Sequence, residues 1–131
     1  MDPDNQTRPL SKLTFWTGII MSTLPALMLL LSAVMKFVKP APVIEGFVHL
    51  GYAENLALGL GILEIVCTAI YLIPSTSVLG AILLTGYLGG ATATEVRVGD
   101  SFIAPVILGI MVWGGLFLRE PRLRDLIPLR R

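Results

Sequence analysis

The chain has 131 residues, of which 54% are hydrophobic and only 15% are charged, and its formal net charge at pH 7 is +1. Ordinary soluble domains carry about 25% charged residues, so this composition excludes a soluble enzyme domain, a disordered chain and a basic protein that binds nucleic acid. The single Cys67 and the single His49 exclude an internal disulfide, a cysteine-based zinc site and a His-rich metal or haem site within one chain. We therefore predict a small integral membrane protein without a metal site.

The first predicted helix covers about residues 13–38. Leu13 to Met35 contains no charged residue and is longer than the roughly 20 residues that cross the hydrocarbon core of a bilayer. A cleaved signal peptide is the alternative, because Arg8 and Lys12 precede the run. The run exceeds the apolar segment of a typical signal peptide, and no persuasive small-residue cleavage site follows it. We therefore expect a retained membrane helix that is kinked at Pro25.

A short helix at about residues 42–50 is predicted to lie at the membrane interface between the first and second crossings. Pro42 suits the first turn of a helix, and Gly51 suits its end. Val43 and Phe47 are four residues apart and therefore share one face of this helix.

The second and third crossings are predicted at about residues 55–73 and 77–96. The stretch from Asn55 to Thr94 contains one charged residue, Glu64, and as a single helix it would be about twice as long as the hydrocarbon core is thick. It must therefore fold back on itself. Pro74–Ser77 is the turn-like cluster within it, which predicts a tight helical hairpin there.

A fourth crossing is predicted at about residues 101–118, which contain no charged residue. Four crossings place both termini on one side of the membrane. That side carries seven of the ten cationic residues, Arg8, Lys12, Arg119, Arg122, Arg124, Arg130 and Arg131, whereas Lys36, Lys39 and Arg97 lie on the other. The positive-inside rule then places both termini in the cytoplasm. We predict one all-α transmembrane domain over residues 1–131, a four-helix bundle in the inner (plasma) membrane with a basic cytoplasmic tail at 119–131.

Glu64 is the residue that the sequence singles out as a candidate functional group. It lies about nine residues into the second crossing, roughly 14 Å deep at helical rise, where a charged group costs several kcal/mol. Such a side chain is expected to face protein or water rather than lipid. Residues at helical spacing give it an inward face that is largely small or polar: Ala57, Leu60, Gly61, Cys67, Thr68 and Tyr71.

The first helix carries a polar stripe of its own, because Ser22, Ser32 and Lys36 fall near one face. Two interpretations of Lys36 stay open. Its ammonium group either extends to lipid headgroups at the outer end of the helix, or it forms an ion pair with Glu64, whose Cα lies about 10 Å deeper.

The third crossing completes the candidate site. Thr92 and Glu95 fall close to one face, and Tyr87 falls on the adjacent face. The Gly86-x-x-x-Gly90 pattern predicts close packing of helix backbones inside the bundle.

The ionisable residues of the outer half of the protein predict a polar cavity that opens outward. The candidate catalytic residues are Glu64 and Lys36, and the candidate ligand-binding residues are Glu64, Lys36, Ser32, Thr68, Tyr87, Thr92 and Glu95.

Short segments in a fixed order along the chain indicate a family. They are Ser32–Lys36, Val43–Tyr52, Gly59–Glu64, Tyr71–Pro74, the glycine-rich Gly80–Gly90 and Thr94–Asp100. Taken together they resemble the DoxX-like family of small four-helix membrane proteins, over nearly the whole chain from about residue 15 to 126.

The resemblance implies a four-helix bundle with Lys36 and Glu64 at its characteristic polar positions. Many relatives carry a His where this chain has Glu95. The family takes its name from membrane subunits linked to thiosulfate:quinone oxidoreductase and terminal oxidase systems, so the resemblance implies an oxidoreductase component. A shared fold does not transmit an activity, and the residues themselves show no redox centre.

Three functions stay open at this point. The first is a quinone-associated subunit that binds a small lipophile, a quinone or a lipid, between the helices near Glu64, with other redox proteins as partners. The second is a non-enzymatic assembly or scaffold protein that binds membrane helices through its glycine-rich faces. The third is a proton-coupled carrier of a small solute, which four helices can form only as a homo-oligomer.

Overall fold

A computed structural model describes residues 12–126 of the chain, and every element in that part is helical. The helices are α1 (Lys12–Val38), α2 (Ala41–Leu50), α3 (Leu56–Leu72), α4 (Ser77–Val98), α5 (Ile103–Arg119) and α6 (Pro121–Leu126), and a 3-10 helix (Pro74–Thr76) joins α3 to α4. The predicted all-α class is confirmed. The basic residues Arg8, Arg130 and Arg131, which the orientation argument uses, lie outside the described residues.

The helix ends follow local chemistry. Glycines in the left-handed conformation end α2 and α4, with φ of 81° at Gly51 and 80° at Gly99, a conformation that costs other residues more. Lys39 also adopts positive φ, at 55°, where the chain leaves α1 and enters α2. Pro25 lies inside α1, which continues through it to Val38.

The four long helices pack in a ring. Helix α1 packs against α3 and α5, and α4 packs against the same two helices on the other side. The short helix α2 lies against α4 near one end of this ring. Side chains of α1, α3, α4 and α5 therefore point toward a shared interior, which is where a site between helices can form.

Two helical segments, Lys12–Val38 and Pro74–Val98, are long and apolar enough to cross a membrane, and α3 and α5 are shorter apolar helices. Large apolar side chains also cover the outward faces of all four long helices. Examples are Leu27, Leu31, Leu58, Ile62, Leu79, Ile82, Ile107 and Ile110, all exposed. A surface of this kind suits lipid as its solvent.

One end of the ring is closed by contacts between helix backbones. A Cβ added at Gly80 would overlap the backbone of Tyr71, and one added at Gly115 would overlap Ser22 and the carbonyl of Gly18. We call this region, defined by Gly18, Ser22, Tyr71, Gly80 and Gly115, the closed end. Glycine permits such close approach because it has no side chain to separate the helices.

Arg119 takes part in the closed end. Its Nε donates a hydrogen bond to Ser22 Oγ at 3.0 Å, and its guanidinium carbon lies 5.4 Å from the centre of the Tyr71 ring. The Tyr71 hydroxyl donates to the carbonyl of Val112 at 2.8 Å. The sequence counts Arg119 as a cation at the membrane surface, whereas the structure also joins α1, α3 and α5 through it.

Candidate functional site

Lys36 and Glu64 form an ion pair between α1 and α3. Lys36 Nζ lies 2.8 Å from Glu64 Oε2, and the two side chains are 14% and 1% exposed. Of the two interpretations of Lys36 that the sequence left open, the ion pair is the one that the structure contains. The two long side chains bridge the difference in depth between their Cα atoms.

Two hydroxyl groups complete the surroundings of the carboxylate. Tyr87 on α4 donates to Glu64 Oε2 at 3.0 Å, and Ser32 on α1 donates to the same oxygen at 3.4 Å. Lys36 Nζ also donates to Ser32 Oγ at 2.6 Å. Three side chains from α1 and α4 therefore donate to one oxygen atom of Glu64 on α3, which fixes where the Glu64 side chain points.

The electrostatics of this group follow from its burial. An isolated carboxylate in an apolar interior is strongly unfavourable, because it loses its hydration. An adjacent ammonium group and hydroxyl donors offset that loss, and the Lys36–Glu64 pair is neutral as a whole. Removing either member of the pair therefore leaves the other without its opposite charge, and for Glu64 only the hydroxyl donors remain.

A cavity of about 390 Å³ lies beside the ion pair. It is lined by Lys36, Phe47, Leu50, Tyr52, Leu60, Leu63, Gly86, Tyr87, Gly90, Ala91, Thr94 and Glu95. This volume lies within the range of about 300–1,000 Å³ typical of small-molecule sites. The sequence predicts a polar cavity, whereas most of this lining is apolar and its polar groups are few. Such a lining is typical of a site for a lipophile.

The glycines of α4 beside the cavity do not pack as predicted. A Cβ added at Gly86 or at Gly90 would meet nothing within 4 Å. The prediction that the Gly86-x-x-x-Gly90 pattern brings helix backbones together is therefore wrong. No helix within residues 12–126 approaches closely at these positions, so the missing side chains leave room for the cavity. We call the region around the cavity, defined by Lys36, Phe47, Glu64, Tyr87 and Gly90, the open end.

Three polar contacts tie α2 and the residues after it to the end of α4. The hydroxyl groups of Tyr52 and Thr94 share a hydrogen bond of 2.7 Å, and a second of 2.9 Å joins His49 Nε2 to Asp100 Oδ2. Arg97 also donates to the backbone carbonyl of Leu50. These contacts hold α2 as a wall of the cavity.

The remaining candidate residues differ in whether they reach the site. Thr68 is buried on α3, but its hydroxyl donates to the backbone carbonyl of Glu64 rather than to the carboxylate. Thr92 donates to the carbonyl of Leu88 and lines a separate groove between α4 and α5. Glu95 lines the cavity. The structure therefore brings Ser32, Lys36, Glu64, Tyr87 and Glu95 to the site and leaves Thr68 and Thr92 outside it.

Sequence reasoning missed the apolar lining of the cavity and the contacts that place α2 beside it. Phe47 is buried, yet the sequence indicates only which face of α2 it occupies. The bond between Tyr52 and Thr94 joins residues 42 positions apart, and spacing within one helix cannot reveal such a pair. Helical periodicity orders residues within a helix, but it does not show which helix faces which.

The polar groups of the site are hydrogen-bond donors and a carboxylate that can take up a proton, and they do not form an evident set of metal ligands. Within residues 12–126, no three His, Cys, Asp or Glu side chains come together as metal ligands do. Lys36 has three N–H groups, of which two point to Ser32 and Glu64. Lys36 and Tyr87 both line the cavity, so the third N–H can donate to an acceptor and the Tyr87 oxygen can accept a hydrogen bond.

Comparisons with known proteins identify a family for this chain. The family model described as the DoxX-like family matches residues 20–115, a range that contains the ion pair and every residue lining the cavity. No curated protein and no solved structure matches this chain.

Proposed function

The chain belongs to the DoxX-like family, and we propose that it is a four-helix membrane protein that binds a small lipophilic ligand, a quinone or a lipid, in the cavity beside the Lys36–Glu64 ion pair. The observation that carries this proposal is the cavity itself, which joins a mostly apolar lining to a buried charged pair. Ligand sites commonly combine an apolar wall with a few placed polar groups.

The membrane arrangement proposed here is four crossings by α1, α3, α4 and α5, with both termini in the cytoplasm and the open end toward the outside of the plasma membrane. Two long apolar helices and the apolar outward faces support it. Helices α3 and α5 have 17 residues each, which is at the short end of the range for a crossing. The distribution of cationic residues along the sequence supports the orientation.

Cysteine labelling tests this orientation, because the single native cysteine, Cys67, is buried. The exposed residues Glu54, which follows α2, and Asp125, in α6, are replaced by Cys in separate variants. A membrane-impermeant maleimide added to intact cells should label Glu54→Cys alone, and Asp125→Cys should react after permeabilisation. The unchanged protein, with Cys67 alone, is the control. Labelling of Asp125→Cys in intact cells would contradict the orientation.

In the proposed site the polar groups position the ligand. The third N–H of Lys36 donates to an acceptor oxygen of the ligand, such as a quinone carbonyl. The Tyr87 oxygen accepts from a donor on the ligand, such as the hydroxyl of the reduced form. Glu64 holds both side chains in place through its hydrogen bonds. A proton that leaves the ligand has Glu64 as its nearest buried acceptor, through Tyr87.

Ligand binding is tested with the purified protein in lipid nanodiscs. Bound quinones and lipids are extracted after gentle purification, and short-chain ubiquinone and menaquinone analogues are titrated into the empty protein. Gly90→Leu places a side chain in the cavity, whereas Gly59→Leu adds the same side chain at an exposed position of α3 that lines no cavity described here. We expect Gly90→Leu to weaken binding by about tenfold or more and Gly59→Leu to leave it unchanged. The absence of any extracted molecule, together with no binding of either analogue, would overturn the proposal.

We propose a role in a membrane redox or quinone-associated system on the strength of this site together with family membership. Glu64→Gln tests whether a carboxylate is needed for that role. It keeps the shape of the side chain and removes its charge. If the variant still binds the ligand but loses the redox role, proton exchange by Glu64 is supported. If the redox role is unchanged, Glu64 has a structural role only.

A second candidate function is assembly with another membrane helix. The groove between α4 and α5 favours it, because Gly89 and Gly109 lie there with Thr85 and Thr92 and leave an open, apolar surface. Crosslinking in native membranes tests this candidate. If the groove between α4 and α5 holds a partner helix, Gly89→Leu should abolish the crosslink to that partner and leave quinone binding unchanged.

A further inference from the structure

A second cavity lies on the outward side of the open end, between α1 and α2. It is a groove of about 480 Å³ lined by Met28, Leu31, Ser32, Met35, Lys36, Val43, Gly46, Phe47 and Leu50. Apart from Ser32 and Lys36 this lining is apolar. The exposed side chains of Leu31 and Met35 also belong to the outward face of α1. In the proposed membrane arrangement the groove therefore opens to lipid.

The groove and the cavity beside the ion pair are neighbours. Lys36, Phe47 and Leu50 line both of them. Phe47 is 8% exposed, and its ring meets the Tyr52 ring edge to face at 6.2 Å between centroids. The two spaces therefore meet at three shared side chains, one of which is Lys36 of the ion pair.

The chemistry differs between the two spaces. The inner cavity has the polar groups of Lys36, Tyr52, Tyr87, Thr94 and Glu95, whereas the polar groups of the groove are those of Ser32 and Lys36, among methionine, aliphatic and aromatic side chains. The ion pair at the junction is neutral as a whole, so it does not favour a charged headgroup. A molecule that fills both spaces needs a compact, uncharged head with an acceptor oxygen and an apolar chain attached to it.

We infer that the groove between α1 and α2 holds the apolar chain of the same ligand whose head occupies the cavity beside Lys36 and Glu64, so that the ligand is an uncharged single-chain amphiphile. This inference rests on the proposed function. Lys36 donates to the head, Phe47 and Leu50 contact the ligand where head and chain join, and Met28, Leu31, Met35 and Val43 contact the chain. The chain reaches the groove directly from the bilayer, since the groove is open on that side.

The test compares two quinones that share one head and differ in their chain, a methyl in one and a decyl in the other. Each buried methylene increases affinity about fourfold, so chain contacts have a measurable effect. Gly46→Leu fills the groove and not the cavity, and Gly90→Leu fills the cavity and not the groove. The added Cβ meets nothing within 4 Å at either position. Gly59→Leu on the exposed face of α3 is the matched control.

We expect Gly46→Leu to weaken binding of the decyl quinone by about tenfold and to leave binding of the methyl quinone unchanged. Gly90→Leu should weaken binding of both, and Gly59→Leu of neither. Partition of the decyl compound into lipid is the same for all variants and therefore cancels in the comparison. Circular dichroism and size-exclusion chromatography confirm that each variant is folded.

A photoreactive decyl quinone with a diazirine at the end of its chain provides an independent measurement. Crosslinks on the peptides that contain Met28, Met35 or Val43 would support the inference. Crosslinks confined to α4 and α5 would overturn it.

The outcomes separate the inference from the proposed function. If Gly46→Leu affects both quinones equally or neither, the chain does not lie in the groove and the inference fails. The proposed function still holds in that case when Gly90→Leu weakens binding of the methyl quinone. If neither quinone binds the unchanged protein, the proposed function fails and the inference fails with it.

Discussion

The two ends of the helix ring contain the same kind of residue in opposite roles. At the closed end, Gly80 and Gly115 allow helix backbones to touch. At the open end, Gly86 and Gly90 face empty space beside the cavity, and side chains rather than backbones hold the helices together. A glycine in these helices therefore permits a close approach without requiring one, and the position of the neighbouring helix decides whether backbone or empty space lies against it.

The largest effect is expected at the open end from Lys36→Met, which leaves Glu64 buried without its cation. Breaking a buried ion pair in this way destabilises proteins by about 3–5 kcal/mol. The free energy of unfolding in detergent measures the loss. The control is Lys39→Met, three residues further along the chain.

The double variant Lys36→Met/Glu64→Gln sharpens this prediction. It removes both charges together, so it should be more stable than Lys36→Met alone. If Lys36→Met were as stable as the unchanged protein, the ion pair would not hold the open end together.

Gly80→Ala tests the closed end in the same way. The new methyl group would overlap the backbone of Tyr71, so α3 and α4 must separate at that point. Overpacking of this kind costs about 3 kcal/mol. Thermal unfolding in detergent checks it, with Gly89→Ala as the control, since a Cβ there meets nothing within 4 Å. Equal stability of the two variants would remove the distinction between the ends.

Tyr87→Phe removes one of the hydrogen bonds to Glu64 and leaves Lys36 in place. We expect a loss of stability of about 1.5 kcal/mol, together with weaker binding of quinone analogues. Tyr71→Phe at the closed end is the matched variant, because it also removes a tyrosine hydroxyl that donates a hydrogen bond inside the ring. Denaturant unfolding should detect both changes, and ligand titration should detect only the first. Equal binding by the two variants would contradict a role for Tyr87 in the cavity.

The smallest effect is expected from Gly90→Ala, and it has the opposite sign. Alanine favours a helix over glycine by about 0.5–1 kcal/mol, and space is available for its methyl group at this position. The variant should therefore unfold at a slightly higher temperature than the unchanged protein. A clear loss of stability would mean that a helix packs closely against Gly90 after all.

The buried face of α3 could be read from the sequence because helical periodicity determines it. Ala57, Gly61, Glu64, Cys67, Thr68 and Tyr71 are the buried residues of this helix, and all of them belong to the inward face that spacing predicts. The cost of a charge in an apolar environment also identified Glu64 as a residue that needs a partner. Both arguments use information from a single helix or a single residue and need no knowledge of how helices pack against each other.

Contacts between helices were harder to predict. The sequence left Lys36 with two interpretations, because its reach to Glu64 depends on how α1 and α3 align. The Gly86 prediction failed because a small residue permits a close contact without requiring one. Thr92 shares α4 with Tyr87 but faces the groove between α4 and α5 instead of the cavity beside the ion pair. In each case the missing information is the rotation of one helix relative to its neighbours.

Tyr71 makes the closed end a fixed point for the whole ring. Its backbone touches Gly80 on α4, its hydroxyl binds the carbonyl of Val112 on α5, and Arg119 lies over its ring. If α4 tilts about its contact with Tyr71, the displacement is largest at its far end, near the cavity. About 22 Å of helix separates Gly80 from Glu95, so a tilt of about 5° around this pivot moves the rim of the cavity by about 2 Å. A tilt of α4 of this size would change the width of the cavity only by breaking the contacts of Tyr87 and Thr94, while the contacts around Tyr71 would persist.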